Sequence, residues 1–118
     1  MDEKLQALKA LVSAAFWDAK YAHECALGDP NKNTHVDKVS ALSYAAACTA
    51  RSSAAAALYW SSPELAHFDV PALLAQFDTF TNEIRDDFKT DHSRQWVDIE
   101  FGKLSELYYR SIFASQNA

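Results

Sequence analysis

The sequence predicts an all-α fold, an antiparallel up-and-down four-helix bundle, with residues 1–118 forming a single helical domain. Three observations point there. Apolar residues recur at three- and four-residue steps along four long segments. The 118 residues include only two glycines and three prolines, which leaves few sites for tight turns. The breaks between segments are short, and short connections make consecutive helices antiparallel neighbours. With 49% hydrophobic residues the chain can bury one core, and it is too short to bury two.

The first helix runs from about Asp2 to Leu27, with Leu5, Leu8, Val12, Ala15, Ala19, Ala22 and Ala26 on its stripe. Gly28 can cap its end, and Pro30 in the polar turn that runs to Asn33 forbids continuation. The second helix opens at Thr34, whose hydroxyl can cap it while Asp37 sits favourably in the first turn. It continues to about Ser61, and Pro63 ends it. Ala45-Ala46-Ala47, Ala50 and Ala54-Ala55-Ala56-Ala57 put small residues around most of its circumference. This predicts a central helix, with bulk supplied from opposite by Phe16, Trp17, Phe77 and Phe80. A bulky charge at Ala46 or Ala54 is therefore expected to be strongly destabilising. Arg51 interrupts the alanine stretch, flanked by Tyr44, Tyr59 and Trp60, and is expected to point to solvent.

The third helix follows Asp69 as N-cap and places Val70, Leu73, Leu74, Phe77, Phe80, Ile84 and Phe88 on one stripe. Continued past Thr90, it would bring Asp91 almost under Ile84 on the apolar side, so the spacing predicts an end near Thr90, with Asp91 or Ser93 capping the next helix. The fourth helix spans about Arg94 to Ala114, with Val97, Phe101, Leu104, Tyr108 and Ile112 as its stripe beside Trp96 and Leu107.

A formal charge of −5 argues against a protein that holds nucleic acid by a broad basic surface, so any RNA contact must be a small cationic patch. Cys25 and Cys48 are the only cysteines; lacking zinc-site spacing or the density of a disulfide framework, they read as reduced core thiols. No apolar run approaches the roughly 18 residues of a membrane span, and the charged start at Met1-Asp2-Glu3-Lys4 has no signal-peptide block. A cytoplasmic protein with no membrane contact is expected. Glu64 and His67 have a spacing used in di-iron bundles, but there is no second copy, and His67 is assigned to the turn before the third helix. His23, Cys25 and His35 define no site, and no metal or cofactor is expected.

The most specific chemical proposal is Arg85 with His92, seven positions on. On a continuous helix, seven steps of about 100° bring the two side chains within roughly 20° of each other, about 10 Å apart along the axis. If the helix ends near Thr90, a turn can swing the imidazole back toward the arginine. Arg85 would have Thr81, Asn82, Phe88 and Lys89 as helical neighbours, none of them acidic, so a routine intrahelical ion pair is closed to it. A guanidinium that holds a phosphate, an imidazole that moves a proton and a ribose 2′-hydroxyl suffice to cleave RNA without a metal.

In this context, Ile84-Arg85-Asp86 leading to His92 and a final amphipathic helix resembles the HEPN domains. Their signature is an arginine, often followed by a polar residue, and then a histidine after about four to six intervening positions; here six residues intervene. The resemblance implies a metal-independent endoribonuclease, a toxin or defence component, with RNA as substrate and a protein or antitoxin as partner. It implies a homodimer in which each chain brings one arginine and one histidine to a shared cleft. His92 would serve as general acid or base, Arg85 would stabilise the charged phosphorane, and Asp86 would orient either. Where the toxin branch often has a tyrosine two residues after the histidine, this chain has Arg94. The competing class is a non-catalytic bundle, an immunity, antitoxin-like or phage inhibitor protein whose acidic face covers a basic surface on its target.

Overall fold

The computed structural model describes residues 3–28, 35–90 and 94–114, and among these it contains helices and turns with no strand. Four long helices make up the chain: α1 (Glu3–Leu27), α2 (Lys38–Trp60), α3 (Pro71–Thr90) and α4 (Gln95–Arg110), with a short 3₁₀ turn at Pro63–Leu65. Each helix packs on the next in order, with α1 and α2 the most extensive pair, and α4 closes back on α1. α1 and α3 thus stand at diagonally opposite corners of the four-helix bundle. No described helix is long and apolar enough to cross a membrane.

Local chemistry sets the helix ends. Gly28 stops α1 with a φ of 66°, the left-handed region, and its N–H donates to the Glu24 carbonyl at 2.9 Å. A Cβ there would lie 2.9 Å from the His35 carbonyl carbon, so the close return of the chain also requires glycine. The return is fixed by the Asp37 N–H donating to the Cys25 carbonyl at 2.8 Å. α2 begins later than expected: Asp37 is its N-cap, accepting from the Ser40 N–H at 3.0 Å and the Ser40 hydroxyl at 2.8 Å. The Ser40 backbone N–H, with the hydroxyl, holds the Asp37 carboxyl below its usual range. Thr34, the expected cap, lies outside the described residues.

α3 starts at Pro71, and the residue before it is Val70, not Asp69. Proline's fixed φ suits the first helical position, and fully buried Val70 contributes its carbonyl to the Leu74 N–H at 3.0 Å, so packing rather than a polar cap sets this start. α3 ends at Thr90 as its stripe predicts. The expected caps Asp91 and Ser93 lie outside the described residues. α4 stops at Arg110, short of Ala114. Ser111 turns to an extended conformation, its hydroxyl donating to the Tyr108 carbonyl at 2.6 Å, and this rotates Phe113 into the core while Ile112 of the expected stripe remains exposed.

Leu8, Val12, Phe16, Leu65, Phe77, Phe80, Ile84, Val97, Leu104, Tyr108 and Phe113 build the core. α2 contributes a single stripe of Ala41, Ala45, Cys48, Ser52, Ala55 and Tyr59, so small residues let α1 approach closely. Ala46, Ala50, Ala54 and Ala57 are exposed, and Ala47 and Ala56 are half-buried, which corrects the expectation that most of the helix's circumference is packed. Arg51 is exposed as expected, and its guanidinium also pairs with Asp18 of α1, which is nearly buried. Cys25 and Cys48 are free thiols, and burial pushes Cys48 up to about 12, so it is inert at neutral pH.

Candidate functional site

The C-terminal third of α3 carries the residues expected to act on RNA. Arg85 is exposed, and its Nη2 donates to Asn82 Oδ1 one turn back. Among the described residues no carboxylate pairs with it. Asp86 is exposed beside it, and its backbone carbonyl accepts the Thr90 hydroxyl at 2.7 Å. His92 lies outside the described residues, so its position relative to Arg85 is not part of the picture. Glu64 takes Lys4 as its partner at 3.0 Å, and exposed His67 rests at 4.2 Å against the Phe68 ring. No cluster of potential metal ligands is present among the described residues.

The orientation of Arg85 follows from its position on the helix. Gln76 faces α4, where its amide donates to Glu100 Oε1 at 2.9 Å and to the Glu100 carbonyl at 3.0 Å. Arg85 is nine residues further on, and nine steps of about 100° place it about 180° around α3 from Gln76. It therefore projects away from α4, on the opposite corner of the bundle from α1.

Two other arrangements stand out beyond the residues singled out in the sequence. Across the α1–α4 seam, His23 Nε2 and Asp98 Oδ1 lie 2.9 Å apart, with the imidazole stacked on Phe101 at 4.3 Å. The two residues are 75 positions apart, so no local motif marks them. The second is an aromatic array. Phe16 stacks on Tyr108 at 4.0 Å and on Phe101 at 5.8 Å, and it meets Trp17 and Tyr109 edge-on at 6.1 and 5.4 Å. From there the rings run outward, Trp17 to Tyr21 at 6.4 Å and Tyr21 to Tyr44 of α2 at 5.3 Å.

Trp17, Tyr21, Tyr44 and Tyr109 are 39, 45, 39 and 59% exposed, so α1, α2 and α4 together present one aromatic face backed by buried Phe16. Lys20 Nζ lies 4.7 Å over the Trp17 ring, and Arg51 and Arg110 are paired to Asp18 and Glu106. Glu24 extends the Trp17–Tyr21 stripe by one more turn and adds acidic charge to its rim. Tyr109, Trp60 and Trp96 are all more than half exposed, whereas Tyr108 is buried.

No protein-family model matches the chain, and neither a curated protein nor a solved structure matches it. The functional reading therefore rests on these surfaces alone. Monomeric proteins seldom expose four neighbouring large rings, and rigid aromatic side chains on a packed backing are the residues that anchor protein interfaces.

Proposed function

We propose that this chain is a non-catalytic helical-bundle binding protein, of the immunity, antitoxin-like or inhibitor kind, that docks its aromatic face on a basic surface of another protein. The observation that carries the reading is the four-ring face of Trp17, Tyr21, Tyr44 and Tyr109 on a chain of net charge −5. Lys20, Arg51 and Arg110 are each held by a ring or a carboxylate, and the chain's net charge of −5 favours a basic partner. An antiparallel up-and-down course is part of this reading, supported for the first two helices by the contacts of Lys4 with Glu64, Asp18 with Arg51 and Tyr21 with Tyr44. Two free thiols agree with a reducing, cytoplasmic setting.

Photo-cross-linking in the native cells tests this. A cross-linker at Tyr21 should give one discrete adduct with a basic protein, lost when Trp17→Asp is added, while the same probe at exposed Thr79 of α3 gives none. Adducts with RNA, or equal labelling from both positions, would contradict the proposal.

A second reading retains a HEPN-like endoribonuclease in which Arg85, His92 and Asp86 act on RNA within a homodimer. The exposed Arg85, held by neutral Asn82 rather than by a carboxylate, favours it, since such a guanidinium is available to a phosphate. A dimer closing on the aromatic face would leave the two copies of Arg85 on outward corners, and for this reason the binding function is preferred.

A further inference from the structure

Gln76, Glu83 and Asp87 follow one another by seven and four residues, so they share the face of α3 that meets α4. Asp87 is 1% exposed, and its Oδ2 has no hydrogen-bond donor among the described residues. A buried carboxylate oxygen without a donor is costly. One helical turn away on the same face of α3 is the carboxyl of Glu83. Two carboxylates repel, whereas a carboxylic acid donates to a carboxylate in a short, strong bond.

Among the described residues, the other charges facing Glu83 are Asp86 on its own helix and Glu100 across the seam on α4. Glu100 is held below the usual carboxylate range, first by the Gln76 amide and then by Lys103, whose Nζ lies 3.2 Å from Oε2. The Arg94 guanidinium lies 4.1 Å from the Phe88 ring centroid and donates to the Asp87 carbonyl at 3.3 Å. Ionised Glu83 would thus add a further negative charge beside Asp87 and Glu100.

We infer that Glu83 and Asp87 hold one proton between their carboxyls at the α3–α4 seam, and that losing it loosens α4 from α3, making the closure of the bundle sensitive to pH. The hydrogen bond to Asp87, then burial, then the charges of Asp87, Glu100 and Asp86 push Glu83 up to about 7. A glutamate raised on folding contributes stability that is fully present below its ordinary value of 4.5 and is lost as pH rises through about 7.

Thermal unfolding of the full chain between about pH 5 and pH 8 tests this. Discounted for the partial exposure of Glu83, the wild-type folding equilibrium should fall roughly tenfold over that range, a drop in Tm of about 5 °C. Glu83→Gln donates to Asp87 at every pH, so its profile should be flatter and should cross above wild type on the alkaline side. Carboxyl-carbon NMR of the wild-type chain provides a reading that does not depend on the variant folding, and its Glu83 titration should be centred near 7. Parallel melting profiles, or a Glu83 midpoint near 4.5, would overturn the inference.

Discussion

Ala55→Glu should cost about 4 kcal/mol or more, a large share of the roughly 5–15 kcal/mol that holds a domain of this size together. Ala55 is fully buried on the stripe that α2 turns to α1, the most extensive helix pair in the bundle. A glutamate there overpacks a small-residue contact, at about 1–3 kcal/mol, and also buries a carboxylate with no counter-charge. Ala54→Glu, one residue earlier and exposed, should change stability by no more than about 0.5 kcal/mol. Urea unfolding of both variants reads the difference directly. Similar losses at the two positions would mean that α2 is packed all round, as its alanine content alone suggested.

The second large effect is expected at Phe16, which is 1% exposed and touches four other rings. Phe16→Ala should cost about 3–5 kcal/mol through the lost burial and the cavity left against Tyr108 and Phe101. Because Phe16 also backs Trp17 and Tyr109, the near-ultraviolet circular dichroism should lose intensity while the far-ultraviolet helical signal persists in the cold. A melt displaced by less than about 1 kcal/mol would show that the array is loosely packed and the aromatic face is not rigid.

Where one residue decided a boundary, the sequence was readable. Gly28 and the apolar stripe of α3 ending at Thr90 fall where turn chemistry and periodicity place them. The boundary at α2 was ambiguous because Thr34 and Asp37 can both cap, and only the bond from Asp37 to Cys25 selects the second. At the end of α4, periodicity favoured Ile112, whereas a break at Ser111 buries the larger Phe113. Runs of alanine carry no directional signal, so composition could not tell the packed Ala55 from the bare Ala54. Trp17 and Tyr21 were legible in principle, since they lie off the Leu8–Val12–Ala15–Ala19 stripe with Lys20 beside them. The pairs Asp18–Arg51 and His23–Asp98 join residues 33 and 75 positions apart and depend on the packing of whole helices. Arg85 is exposed and has no acidic partner among the described residues, with Asn82 as the residue that holds it.

The decisive measurement is incubation of the wild-type chain with labelled total RNA in excess chelator, alongside Arg85→Ala and His92→Ala. A binding protein that works through its aromatic face leaves the RNA intact in all three samples. Cleavage by wild type that yields cyclic phosphate ends and falls by about 10²–10⁴-fold in both variants would contradict the account and establish the ribonuclease reading in its place.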